Sequence, residues 1–275
     1  LAQASLAAPT IAIVGATVIH PERELVERDR TIIIEGARIR AIAADADLPV
    51  PAGVQIIDAR GKWVLPGLID AHVHFFQSGN FFARPDVADF EHYVAYADEI
   101  ARNKARLAAT FKVWLANGVT GVLDVGGPMW NFEVRTAARE SRAAPHVGVA
   151  GPLLSTIEAE RLNLGDPPII RVDSPQAARA LVQREAQFKP DYIKVWFIHN
   201  QGDDLAEQAA IVAAAGEAAH AAGIRLAVHA TELVVAKAAL RAGADFLVHS
   251  VENEEIDDEF IALALRRKVL YCPTL

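Results

Sequence analysis

The chain has a single cysteine, Cys272, and a single methionine, Met129. One thiol excludes an internal disulfide, and cysteine usage therefore says nothing of compartment. No apolar run reaches the ~18 residues of a membrane-spanning helix. The Ala-rich stretch Ile211–Ala222 comes nearest, and Glu217 and His220 interrupt it. Basic runs are missing too, and the net charge is −8, which argues against nucleic acid or an anionic membrane surface as a partner. No Gly-x-Gly-x-x-Gly turn follows the first strand, which disfavours a doubly wound dinucleotide fold. Position 1 is leucine, so the start is expected to be processed or trimmed. LAQASLAAPT has the small-residue character of a signal-peptidase region. A leader remnant over residues 1–10 is expected, disordered, in a periplasmic or secreted protein, with a cytoplasmic one as the alternative.

What the chain has in plenty is apolar side chains, 52% of 275 residues, enough for a large core. From Ile11 to Leu65 short alternating runs and tight turns predict a small β-sandwich over residues 11–65, with a hairpin turn near Glu35-Gly36. After Pro66 the texture becomes strand, loop, helix, repeated. Strands are predicted near Ile69–His74, Gly121–Val125, His146–Ala150, Tyr192–Phe197, Arg225–Ala230, Phe246–Val251 and Val269–Cys272. Helical patterns such as His92–Ala116, Pro175–Phe188, Leu205–Ala222 and Ile256–Arg267 lie between them. Such alternation implies right-handed β-α-β units and a parallel sheet. The expected fold is α/β, a (β/α)8 TIM-type barrel over residues 66–275. Only seven strands are countable, so the barrel is expected to be incomplete at its C-terminus.

Four histidines and a lysine sit at or near the ends of these strands: His72 and His74, Lys194, His229 and His249. Residues i and i+2 of a strand point the same way, so His72 and His74 can share one ion. A lone His-x-His is weak evidence. The ordered series on successive strand ends is strong.

Through these residues, and above all through Lys62–His74 (KWVLPGLIDAHVH), the chain resembles the amidohydrolase superfamily of metal-dependent hydrolases. Within it the chain looks most like the branch of imidazolonepropionase-like enzymes and Xaa-Pro dipeptidases. The resemblance implies hydrolysis of a C–N bond in an amide, peptide, urea or cyclic amide by a metal-activated hydroxide. It implies two divalent ions, zinc foremost: one on His72 and His74, the other on His229 and His249, bridged by Lys194. A neutral lysine cannot bridge, but its amine can add carbon dioxide to give N6-carboxylysine, and burial in an apolar strand favours the reactive neutral amine. The family's eighth strand ends in a proton-shuttling aspartate, which is expected beyond Leu275, in a C-terminal segment or a second fragment. Residues 1–275 alone are therefore expected to be neither a stable barrel nor active. A homo-oligomer is a further partner reading. Competing functions are a metal-dependent lactonase or deaminase, the latter disfavoured by Lys194, or an inactive metal-binding fragment.

Substrate-binding candidates lie in the loops. Arg84, in the aromatic loop FFQSGNFFARPDVADF, can clamp a carboxylate. Trp130, with Met129, is a candidate pocket wall, and His199 follows Lys194 by five positions. Asp70 shares the strand face of the His-x-His pair and is expected to be structural. His20, His92, His146 and His220 are expected to be surface or capping residues. A small-molecule substrate is expected.

Overall fold

The computed structural model describes residues 10–274. The expected leader therefore lies outside the described residues, apart from Thr10, which begins the first strand. The chain forms two compact units, Leu1–Gly67 and Leu68–Leu275.

In the first unit, β1 (Thr10–His20), β2 (Leu25–Glu35), β3 (Arg38–Ala44), β4 (Gln55–Asp58) and β5 (Trp63–Val64) make one five-stranded sheet. β1 is its axis, antiparallel to β2 on one side and parallel to β4 and β5 on the other. Glu35 pairs with Arg38 across a two-residue turn. Gly36 takes φ 59° there, a left-handed conformation that a side chain would resist. A small cluster of Ala16, Val18, Ile32 and Ala59 is its buried core. The second, facing layer of the expected sandwich is not among the described residues: β4 is exposed throughout and β3 nowhere fully buried.

The second unit alternates strands with helices, and every strand pairing in it is parallel. Its strands are β6 (Leu68–Val73), β7 (Val119–Asp124), β8 (His146–Val149), β9 (Leu153–Ser155), β10 (Ile169–Arg171), β11 (Tyr192–Trp196), β12 (Arg225–His229), β13 (Phe246–Leu247) and β14 (Leu270–Tyr271). The helices are α1 (Tyr96–Ala116), α2 (Asn131–Glu140), α3 (Pro175–Ala186), α4 (Leu205–Ala221), α5 (Leu233–Arg241) and α6 (Asp258–Arg267). Several helix starts are written in sequence. Ser174, Asp204 and Asp257 each accept a backbone N–H of the first turn of α3, α4 and α6, and Pro175 presets the first turn of α3.

One sheet runs β6-β7-β8 and the other β10-β9-β11-β12-β13-β14. They meet where β8 breaks at Ala150–Pro152 and resumes as β9. Gly151 turns there at φ 90°, the Asp191 N–H donates to the Val149 carbonyl at 2.9 Å, and Leu154 pairs with Val195. Seven parallel staves thus follow one another in chain order, with β10 added outside β9. All seven predicted strands are present, some shifted or shortened; the three-residue strands β9 and β10 are additional. The succession curls on itself: His72 on β6 reaches the carbonyl of Val248, just past β13, at 2.8 Å. Among the described residues β6 pairs only with β7 and β14 only with β13. Behind the staves, α3 to α6 bury Val182, Ala215, Ala236 and Leu263 against Ile193, Leu226 and Val228, as expected for strands covered by crossover helices.

Candidate active site

His72, His74, Lys194, His229 and His249 line one cavity of about 250 Å³. Four elements deliver them. β6 and the residue after it carry the first two imidazoles, and the middle of β11 carries Lys194. His229 is the last residue of β12, and His249 lies two residues past β13. The ring centroids are 5.3 Å apart for His72 and His74, 4.5 Å for His72 and His249, and 4.2 Å for His229 and His249.

Hydrogen bonds orient the first pair. The His72 Nδ1–H donates to the Val248 carbonyl at 2.8 Å, and the His74 Nδ1–H donates to the Gly126 carbonyl at 2.6 Å. A carbonyl only accepts, so the proton sits on Nδ1 and the Nε2 lone pair is free. Asp70 accepts the His72 backbone N–H at 3.0 Å, the structural part expected of it. The His249 Nδ1 meets the Thr274 hydroxyl at 3.2 Å, and the His229 ring packs edge-on against Trp196 at 6.0 Å.

Burial keeps these imidazoles neutral. Desolvation, then the Lys194 charge, holds His74 down at about 3 and His229 at about 2. His249 is held at about 3 by burial and by its neighbours His72 and Lys194, and His72 is lowered by burial and Lys194. Lys194 is 1% exposed. Its burial pulls the ammonium down to about 7, against the opposing attraction of Asp124, so the free amine is present at neutral pH.

Asp124, at the end of β7, was not singled out in sequence. It is fully buried, and desolvation raises its carboxyl to about 7. It accepts the backbone N–H groups of Phe75 at 3.0 Å and Gly126 at 3.1 Å, and the Asn131 amide at 2.8 Å. The signal was there in VLDVGG, an aspartate closing an apolar strand before two glycines.

Of the substrate-binding candidates, Arg84 reaches the cavity wall, its guanidinium held by both Asp86 oxygens at 2.8 and 2.7 Å. Trp130 lines a separate hollow, where the Lys104 ammonium sits 5.0 Å from its ring. The His199 Nδ1 meets the Gln208 side-chain oxygen at 2.9 Å, and His199 is not on the cavity wall. Leu153, Leu162, Ile169 and Trp196, none of them assigned in sequence, give the cavity an apolar lining together with Phe76 of the aromatic loop. A second hollow of about 580 Å³ flanks β6, reached by His72 and His74 but by none of the other three.

The donor set fits divalent cations of borderline softness: neutral imidazoles, two with Nε2 free, beside an amine able to become an anionic carbamate. Among the described residues no three His, Cys, Asp or Glu side chains are already gathered for one ion. The fit is one of donor chemistry.

The model of the amidohydrolase family matches residues 63–274. An imidazolonepropionase of Aromatoleum aromaticum is 33% identical over 150 residues, 47% of this chain and 35% of that protein. The crystal structure of a prolidase complexed with N-methylphosphonate-L-proline superposes with a TM-score of 0.75 at 22% identity, covering 96% of this chain and 66% of that one. Molinate hydrolase superposes with a TM-score of 0.72 at 19% identity, over 97% and 63%. The chain thus spans about a third of that imidazolonepropionase and somewhat under two thirds of these solved structures. With the family matched over most of its length, this chain belongs to the amidohydrolase family.

Proposed function

We propose that this chain forms the metal-binding part of a hydrolase that cleaves C–N bonds in small amides bearing a carboxylate, such as dipeptides or N-acyl amino acids. One observation carries the reading: four neutral imidazoles and a buried lysine from four separate elements converge on one cavity. Burying these groups costs stability, and a site that recovers that cost on binding cations is the simplest account of them.

In this reading His72 and His74 would hold one ion and His229 and His249 a second, with Lys194, carboxylated, as the anionic ligand that would serve both. Bound there, divalent cations supply Lewis acidity, polarising a carbonyl and lowering the pKa of a water. The remaining work falls to the chain. The carbonyls of Val248 and Gly126 keep the Nδ1 protons of His72 and His74 in place, so both rings present Nε2 in one tautomer. Arg84, preset by Asp86, offers its outer N–H groups to a substrate carboxylate. Leu153, Leu162, Ile169 and Trp196 exclude water and take up an apolar group. The imidazolonepropionase and prolidase likenesses support C–N cleavage, and Arg84 favours carboxylate-bearing substrates over simple ureas.

The test is to assay the full-length protein, purified and loaded with zinc, manganese or cobalt, against dipeptides, N-acyl amino acids, ureas and lactones. Metal-dependent amine release from the first two groups, abolished by a chelator, is the expected result. Hydrolysis that survives chelation, or that is confined to lactones, overturns it.

A further inference from the structure

We infer that Asp124 is a positioning residue for His74, fixing the tautomer and direction in which that imidazole meets its ion. The inference rests on the reading of His74 as a metal ligand. The carboxylate sits at the centre of a closed circuit. One oxygen accepts the N–H of Phe75, the residue directly after His74, at 3.0 Å. The other accepts the N–H of Gly126 at 3.1 Å, and the Gly126 carbonyl in turn accepts the His74 Nδ1–H at 2.6 Å. Asp124 therefore holds both the backbone that carries the ring and the carbonyl that receives the ring's proton. An amide of the same size does not do both, because each contact needs an acceptor. In asparagine one of the two oxygens becomes an NH₂ facing an N–H donor.

The surrounding loop is shaped for this circuit. Gly126 takes φ 123°, and a Cβ there would lie 2.5 Å from the Leu153 Cγ and 3.3 Å from the Gly151 carbonyl oxygen. A Cβ at Gly127 would lie 2.2 Å from the Asn131 side-chain nitrogen. That nitrogen is the third donor to Asp124, at 2.8 Å. The two glycines thus let the loop close onto Asn131 while the Gly126 carbonyl faces the ring.

His72 is an internal control. Its ring is held by the Val248 carbonyl at 2.8 Å and its backbone N–H by Asp70, with no part taken by Asp124. A loss of Asp124 that merely loosened the fold would disturb both rings, whereas loss of a positioning carboxylate disturbs His74 alone.

The experiment measures imidazole tautomers by ¹H–¹⁵N long-range correlation in the metal-free protein, and zinc affinity by competition with a chromophoric chelator, for the native chain and Asp124→Asn. A core variant, Val182→Ala, serves as a matched destabilised control, since Val182 is fully buried in a cluster that holds no member of the circuit. The expected result is a mixed tautomer at His74, an unchanged one at His72, and zinc binding about 10–100-fold weaker, as for other groups that orient a ligand. Val182→Ala should leave both rings and the affinity as they were. Should Asp124→Asn not fold, Asn131→Ala removes one donor from the same carboxylate and is expected to give the same change at His74 in smaller degree. An unaltered His74 tautomer in the folded variant, or equal disturbance of His72 and His74, overturns the inference. If the native chain takes up no zinc, the metal-ligand reading fails, and the tautomers still decide whether Asp124 orients the ring.

Discussion

The two pairs of imidazoles in the cavity are held in different ways. His72 and His74 donate their Nδ1 protons to carbonyls from other strand ends, Val248 and Gly126, at 2.8 and 2.6 Å. His229 and His249 have no such ties: among the described residues the His229 ring has no hydrogen-bond partner, and the His249 ring meets only the Thr274 hydroxyl at 3.2 Å. All four are kept neutral by burial, so they differ in orientation and not in charge. The first pair is preset, and an ion meeting it orders little that is not ordered already. On the proposed reading the second would settle around its ion and lose freedom in doing so. Preorganisation, more than ligand type, separates the two halves of the site.

The sharpest way to break that contrast is to remove one ring from each half. His74→Ala is expected to lower zinc affinity and activity by roughly 10²–10³-fold, the several kcal/mol that an oriented ligand and its ion supply. His249→Ala should cost about tenfold less, read by chelator competition and by kcat/KM on a carboxylate-bearing amide. Equal losses would mean that the carbonyl ties contribute nothing. Lys194→Ala tests what joins the halves: zinc per chain should fall from two to one, with activity down by about 10²-fold as one ion's Lewis acidity is lost. An unchanged metal count would leave the bridging role without support.

Gly126→Ala strikes the preset half through its backbone. At φ 123° and with a Cβ 2.5 Å from the Leu153 side chain, it is expected to destabilise the fold by about 1–3 kcal/mol. It should also disorder His74 while sparing His229 and His249. Denaturant unfolding and imidazole spectra together check this.

A further expected effect is on pH dependence in the metal-free protein. Below its ordinary value of 6.5 an imidazole in the unfolded chain takes a proton, whereas folded His74 and His229 stay neutral down to about 3 and about 2. Asp124 acts in the opposite sense: raised to about 7, it keeps a proton in the folded state that the unfolded chain releases above 3.8. Lys194 is protonated in both states below about 7 and contributes nothing in this window. Glu185, buried and raised well above its ordinary range, acts with Asp124, so two carboxyls stand against His74, His229 and His249, and the lowered His72 adds to the imidazoles. Stability should therefore rise from about pH 4 to 6.5, by roughly 1.4 kcal/mol per pH unit for one net proton. A falling stability over that range would contradict the burial assigned to these rings.

The parallel strands were legible because the central staves are runs such as YIKVW and RLAVH, mostly buried and bounded by polar loops. The order His-x-His, Lys, His, His followed from those strand ends. The brace around His74 was not legible: it joins Phe75 to Asp124 and His74 to Gly126, pairs 49 and 52 positions apart that meet only once the staves align. β9 and β10 also escaped, being three residues each and too short to show a period. The sandwich expectation went beyond what alternation carries. A half-buried strand looks the same whether its apolar face meets a second sheet or only a few side chains such as Ala16, Val18 and Ile32.

Anomalous diffraction from crystals of the zinc-loaded protein, recorded above and below the zinc absorption edge, addresses the central claim most directly. Two peaks are expected in the cavity, each about 2.0–2.1 Å from histidine nitrogens, one at His72 and His74 and the other at His229 and His249, with Lys194 between them. Zinc-soaked crystals with no peak there, or with zinc only at surface carboxylates, would show that these buried imidazoles do not form a metal centre.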